Sequence, residues 1–282
     1  QGFGAIESED EALALGLVAA EGDAIVALAD VRPYATDGVD HWVASDLAEL
    51  ATGRPLSPDH VLGIGGASAT LASWTPRPAV GRALDVGTGC GIQALHLATH
   101  ADEVVVTDLS ERALAYAAFN AALNSVDWQI RGGSMLEPVA GEQFSLIVSN
   151  PPFVITPRSG DVPLFEYRDG GASGDAIVAD LVRSIGAHLE PGGAFILFDN
   201  FLPNHPEDRD LIEFLTCREI ERKTRHITPL EQIIETDRKL KAAENDQEAS
   251  FEEHLRQLRA LGFGHVVPVF LEARYGGIVA YK

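Results

Sequence analysis

Between Asp59 and Phe201 the chain repeats one pattern: a short apolar run, a loop of special residues, then in most cases an amphipathic helix. The runs are "RALDVG", "EVVVTD", "FSLIVSN" and "GAFILFDN". Strands that alternate with amphipathic helices are the signature of a parallel sheet with crossover connections. The pattern predicts an α/β fold with a doubly wound, mostly parallel sheet. The end of the chain, "HVVPVFLEARYGGIVAYK", adds a C-terminal antiparallel strand pair turned at Gly276-Gly277.

The flanks read differently. Residues 1–58 form a small N-terminal accessory or substrate-lid region of helix and short strands. "EDEALALGL" reads as a helix, "AAEGDAIVALADVRPY" as two strands around Gly22-Asp23, and "HWVASDLAEL" as a strand leading into a helix. Residues 59–282 form the main domain, with a polar helical insertion around 203–261. Within it Phe251, Leu255 and Leu258 share one helical face.

Three loops carry chemistry. "DVGTGCGIQAL" places Gly87, Gly89 and Gly91 between the first core strand and a helix, where glycine permits a sharp turn and close approach to a ligand. The next strand ends at Asp108, a carboxylate able to accept hydrogen bonds from both hydroxyls of a ribose, with Ser110 left to cap the following helix. The third is "IVSNPPF". Pro151 and Pro152 cannot continue a central strand, and each bars the residue before it from the α region. A stiff corner therefore holds Asn150 and Phe153 at a strand end.

In this order, "ALDVGTGCGIQALHLA", "VVVTDLSERALAYAAFNAALN" and "FSLIVSNPPF" resemble a class I S-adenosylmethionine-dependent methyltransferase. More narrowly they are similar to the amino-methylating branch with the motif (N/D)-P-P-(Y/F), which includes release-factor glutamine and N6-adenine or N2-guanine methyltransferases. The likeness covers Leu62 to Phe201 and extends into "FEYRDGGASGD", which is similar to the E-P-x-x-A-L-x-G-G-x-D-G segment of the glutamine enzymes but departs from it over "YRDGGASGD". The helical substrate domain of those enzymes is not visible. "RPYATDGVDHWVASDL" and "LSPDHVLGIGGASATLA" look instead like a group of actinobacterial methyltransferases.

The resemblance implies a Rossmann-like fold and S-adenosyl-L-methionine as cofactor, held by Asp85, Gly87, Thr88, Gly89, Gly91, Asp108, Leu109, Ser134, Met135 and Asn150. It implies Asn150, Pro151 and Phe153 as catalytic residues. An amide or aromatic amine is a poor nucleophile because its lone pair is delocalised. The Asn150 side-chain oxygen and the Pro151 carbonyl can accept both of its N–H groups, while Phe153 stacks on the planar group. Tyr167 and Tyr275 are further candidates for the acceptor pocket. His96 and His100 have a zinc-compatible spacing without a third ligand, so a solvated helix face is expected and no metal.

Composition bears on the acceptor and the compartment. The chain has 42 acidic residues against 21 Lys plus Arg, a net charge of −21, and no basic cluster beyond "REIERKTRH". Nucleic-acid binders advertise a basic patch, so nucleic acid is not expected as a partner. The expected activity is N-methylation of an amine on a small molecule, as in natural-product biosynthesis. The alternatives are a macromolecular acceptor (protein glutamine or RNA base) and a non-methylating use of S-adenosylmethionine such as cyclisation to azetidine-2-carboxylate. Two cysteines, no signal-peptide pattern and no membrane-length apolar run point to the cytoplasm.

Overall fold

The computed structural model describes residues 8–36, 39–151, 176–200, 250–272 and 275–282, with short stretches between 213 and 238. Helix α1 (Glu9–Ala14) is capped by Ser8, whose hydroxyl accepts from Glu11 N–H. Strands β1 (Val18–Glu21) and β2 (Ala24–Ala27) form a hairpin. Gly22 turns it at φ +63°, a conformation open to glycine at no steric cost. A second hairpin pairs β3 (Ala29–Thr36) with β4 (Val39–Asp46). Helix α2 (Glu49–Thr52) stops at left-handed Gly53, and α3 spans Gly66–Trp74.

Next come β5 (Val80–Val86), α4 (Ile92–Leu97), β6 (Ala101–Asp108), α5 (Glu111–Leu123), β7 (Gln129–Gly132) and β8 (Phe144–Ser149). They are followed by α6 (Ala176–Ile185), β9 (Leu189–Asn200), α7 (Phe251–Ala260), β10 (His265–Glu272) and β11 (Tyr275–Tyr281). One seven-stranded sheet runs β10-β11-β9-β8-β5-β6-β7. Strands β7, β6, β5, β8 and β9 are parallel, and β11 is antiparallel to both of its neighbours.

Alternation along the strands sorts the core into two faces. Leu84, Val105, Ile147 and Phe195 pack with Val178, Leu181 and Ile185 of α6 and Leu258 of α7. Ala83, Val104, Val106, Leu146 and Ile196 pack with Leu71 of α3, Leu95 of α4, Ala113 and Ala121 of α5 and Val43 of β4. Both faces of the sheet are covered, which gives the doubly wound, mostly parallel fold with its antiparallel C-terminal pair.

Two details differ from the sequence reading. Gly276 and Gly277 are not a turn: they lie inside β11, opposite Leu271 and Phe270 on one side and Asp199 and Phe198 on the other. The reversal falls between Glu272 and Tyr275, because buried Ile278–Ala280 must align with Phe195–Leu197 in mid-sheet. Strand β7 had no counterpart in the reading; its four residues "QIRG" offer one apolar side chain.

The β3–β4 hairpin is fastened to α5 by side chains four residues apart. Asn124 accepts from Trp42 N–H and donates to Trp42 O, both at 2.8 Å. Asn120 repeats this with Ala44 N–H (2.8 Å) and Ala44 O (2.9 Å). Four helical residues advance about 6 Å and two strand residues about 6.7 Å, so the steps match. The two amides occupy the β4 edge that another strand would otherwise take.

At the end of the row Asp46 accepts from Arg112 Nη2 (2.6 Å) and Nε (2.9 Å), Tyr116 Oη (2.7 Å) and Val61 N–H (2.8 Å). Burial works against the Asp46 charge, yet these donors outweigh it and hold the carboxyl below its usual pKa. We expect Asp46→Ala to cost about 3 kcal/mol in urea unfolding at pH 7. Because the folded pKa is depressed, the difference from wild type should shrink as pH falls below about 4.

Candidate active site

The sheet reverses its winding between β5 and β8: from β5 the chain steps outward to β6 and β7, then returns to β8 on the other side. Such a switch point leaves a crevice at the strands' carboxyl ends. Asp85 pairs with Val148 and Val86 with Ser149, so the loop at Gly87 and the corner at Asn150 leave the sheet side by side. The Ser149 hydroxyl donates to Val86 O (3.0 Å) and ties the two exits together.

In the glycine loop, Gly87 and Thr88 N–H both donate to Thr107 O, at 2.9 and 3.0 Å. Gly87, Gly89 and Gly91 have φ of +72°, +55° and +89°. A Cβ on Gly87 or Gly89 would meet no atom within 4 Å, so open space lies over both. Gly91 differs, since a Cβ there would sit 3.2 Å from the Trp128 ring.

Asp85, the last residue but one of β5, has 1% of its surface exposed. Burial pushes its carboxyl up to about 7, against the pull of the Thr88 hydroxyl that donates to it at 2.7 Å; the nearby Asp108 charge adds to the rise. Asp108 ends β6, next in the sheet, accepting from Gly89 N–H (2.8 Å) and Ser110 N–H (2.9 Å). Ser110 caps α5, and Leu109 between them is 70% exposed. Gly133 N–H donates to Asp108 O (3.0 Å), which brings Ser134 and Met135 to the same edge. Met135 takes a left-handed φ of +48°, with its carbonyl held by the Thr107 hydroxyl (3.1 Å).

Asn150 follows β8, and its Oδ1 is buried with no hydrogen-bond partner among the described residues. A buried acceptor without a donor costs free energy, and in a crevice it marks a place for a ligand N–H. Pro151 is buried beside it. Pro152, Phe153, Tyr167 and the "FEYRDGGASGD" segment lie outside the described residues, as does the side chain of Tyr275 at the start of β11.

His96 departs from the solvated face expected for it. It is 2% exposed, with Nε2 2.8 Å from Tyr34 Oη and Nδ1 3.1 Å from Arg77 Nη2. An arginine can only donate, so Nδ1 is the acceptor and Nε2 carries the proton. This ring therefore joins β3 to Arg77, which also donates to Ala72 O and Thr75 O at the end of α3. His100 Nδ1 lies 2.9 Å from Pro78 O. Among the described residues no group of three His, Cys, Asp or Glu could hold a metal.

The family described as "Methyltransferase small domain" matches residues 63–227, more than half of the chain. The chain belongs to this family. The match contains the glycine loop, Asp108 and the Asn150 corner. The chain is 42% identical over 126 residues to a release factor glutamine methyltransferase of Deinococcus radiodurans, covering 41% of this chain and 44% of that protein. It is 31% identical over 141 residues to ribosomal RNA small subunit methyltransferase C of Salmonella arizonae, covering 49% and 36%. The chain thus matches under half the length of either relative. A 16S rRNA N2 methyltransferase of T. thermophilus, solved with AdoMet and guanosine, shares the fold at TM-score 0.55 and 18% identity, over 93% of this chain and 53% of that one.

The cofactor is S-adenosylmethionine. The space above Gly87 and Gly89 and the Asp108 carboxylate fit it in two separate places, and the Asn150 oxygen, without a partner among the described residues, lies at the neighbouring strand exit. The expectation of a small-molecule acceptor, with nucleic acid set aside, is corrected by these relatives, whose names specify a release factor and ribosomal RNA. Net charge sums over the whole chain, whereas recognition depends on the local field at one surface. No helix among the described residues is long and apolar enough to cross a membrane.

Asp85 gives a prediction that needs no substrate. Its raised pKa means that wild-type stability falls as pH climbs from 4 to 7 and the buried group is forced to ionise. Asp85→Asn should therefore be more stable than wild type at pH 8 by roughly 2–4 kcal/mol, and no more stable near pH 4, in parallel denaturant titrations.

Proposed function

We propose that the chain transfers a methyl group to a planar nitrogen of a macromolecule, first a glutamine side chain of a protein. The observation that carries this reading is the buried Asn150 Oδ1 without a partner among the described residues, next to the glycine loop at the switch point. It is an acceptor set for an N–H. The release factor relative, at 42% identity, supports glutamine as the group that supplies it. An RNA base is the second reading, supported by the ribosomal RNA relative.

When bound, S-adenosylmethionine supplies a sulfonium methyl, whose C–S electron pair returns to sulfur as the acceptor nitrogen bonds the carbon and sheds a proton. The residues act by placement. Asp108 binds the ribose, with Leu109, Ser134 and Met135 beside the base. The turns at Gly87 and Gly89, with Asp85 and Thr88 behind them, hold the amino-acid end. Asn150 Oδ1 and the Pro151 carbonyl take the two N–H groups of the acceptor and turn its lone pair toward the methyl; Phe153, outside the described residues, is the candidate to stack on its plane. Residues 1–58 serve as the accessory or substrate-lid region, and residues 59–282, with the insertion around 203–261, as the catalytic domain.

Transfer of labelled methyl to release factor, ribosomal proteins and 16S rRNA, with digestion to single residues, tests the acceptor. Label in glutamine is the expected result. Label in a base selects the second reading, and methylthioadenosine formed without acceptor would overturn both.

Two substitutions separate binding from chemistry. Asp108→Ala should weaken S-adenosylmethionine binding by about 1.5–3 kcal/mol in calorimetry. Asn150→Ala should leave that affinity nearly unchanged and lower single-turnover rates by about two orders of magnitude or more. Asn150→Asp, which still accepts N–H bonds, should retain more. Near-wild-type turnover in Asn150→Ala would mean that the acceptor nitrogen is held elsewhere.

A further inference from the structure

Asn120 does more than fasten the hairpin. Its Oδ1 accepts from Ala44 N–H, so the other end of the group is the amide nitrogen, and that nitrogen donates both to Ala44 O (2.9 Å) and to Cys90 O (2.8 Å). Cys90 lies between Gly89 and Gly91, inside the loop whose Gly89 N–H meets Asp108 (2.8 Å). Asn120 has no exposed surface, and its acceptor and both of its contacts to carbonyls are engaged within the protein. The loop also packs against α5: a Cβ on Gly91 would lie 3.8 Å from Ala117 Cα and 3.2 Å from the Trp128 ring. Asn124, one turn further along, makes the same clasp on β4 through Trp42 but donates back to Asn120 O (2.7 Å), with no bond to the loop.

We propose that Asn120 is a positioning residue for the cofactor, a single amide that fixes the glycine loop and the β4 hairpin strand to each other. This rests on the reading of the loop as the cofactor cradle. The carbonyl of Cys90 is pinned from beneath, so the loop keeps its shape, with Gly89 N–H on Asp108 (2.8 Å) and Gly91 N–H on Thr88 O (2.9 Å), without help from a ligand. Docking of the hairpin and readiness of the loop become one event, because the donor that reaches Cys90 is oriented by Ala44. A carboxylate at position 120 could accept from Ala44 but could donate to neither carbonyl.

The test compares Asn120→Ala, Asn124→Ala and Asp108→Ala in the full chain, well below their unfolding midpoints. Asn120→Ala should weaken calorimetric S-adenosylmethionine binding roughly tenfold, the scale of a charge-free buried hydrogen bond plus the order it maintains, and Asn124→Ala by less than about threefold. The thiol of Cys90 reports on the loop itself. It is 4% exposed and burial pushes it up to about 12, so alkylation requires the loop to open. Site-resolved alkylation of Cys90, referenced to buried Cys217, should accelerate about tenfold in Asn120→Ala and stay near wild type in Asn124→Ala.

Equal binding losses in the two asparagine variants, or an unchanged Cys90 rate in Asn120→Ala, would overturn the proposal. Wild-type affinity in Asp108→Ala would instead overturn the cradle reading, while the Cys90 rates still decide whether Asn120 holds the loop. If Asn120→Ala does not fold, hydrogen exchange in the wild type decides. Protection of residues 88–91 equal to that of 116–122 supports the pinning, and exchange about a hundredfold faster in the loop overturns it.

Discussion

The pairing of β5 with β8 is the constraint from which the site follows. Parallel strands need long crossovers, so two segments some sixty positions apart in the chain, at Gly87 and Asn150, meet only because their strands are neighbours. The winding reverses between them, so neither crossover covers the crevice at their carboxyl ends. Everything placed there comes from loops: the glycine turn, the β6 exit at Asp108, the β7 exit at Ser134 and Met135, and the proline corner. The Ser149 hydroxyl on Val86 O keeps the two central exits in register.

Polar groups at this crevice differ from their counterparts that fasten the fold. Asp46 is buried, but four donors meet its carboxylate. Asp85 has fewer donors and its ionised form is disfavoured. The contrast separates a carboxylate that serves the fold from one kept in a costly state at the mouth of a crevice. Asn150 shows the same contrast against Asn120, which has partners for its oxygen and its nitrogen. Local conflict of this sort is expected at functional positions, where surrounding structure compensates for it.

Sequence carried the fold to the extent that apolar runs carry it. "RALDVG", "EVVVTD", "FSLIVSN" and "GAFILFDN" announce themselves, whereas "QIRG" at the edge has too little apolar surface to register. Gly276-Gly277 reads as a turn from composition alone, and only the sheet reveals two neighbours crowding that strand. In the site, special residue types were visible: glycines, a strand-ending aspartate, consecutive prolines. Asn120 was not, because an asparagine in an alanine-rich helix reads as surface. The signal available was a polar row, Arg112, Tyr116, Asn120 and Asn124, spaced by four and offset by one from buried Ala113, Ala117 and Ala121. His96 was misplaced for a related reason: its partners Tyr34 and Arg77 are distant or unremarkable in sequence. The acceptor class was misjudged from net charge, a quantity that carries no positional information.

The position of β11 governs the order in which the molecule can assemble. It lies between β9 and β10, bonded along its length to both, and the strap continues past it where Gly192 N–H donates to Lys282 O and Lys282 N–H to Gly193 O. During synthesis β10 emerges before β11, so it reaches the solvent before its one neighbour in the sheet exists. The edge of β9 likewise stays open until β11 inserts. Vectorial folding can therefore complete the β7-to-β9 half, with the glycine loop and Asn150 in place, while this side is still unclosed. A nascent chain of this topology has its catalytic crevice formed before its sheet is sealed, and in that interval the exposed β9 edge is the part that most needs a chaperone.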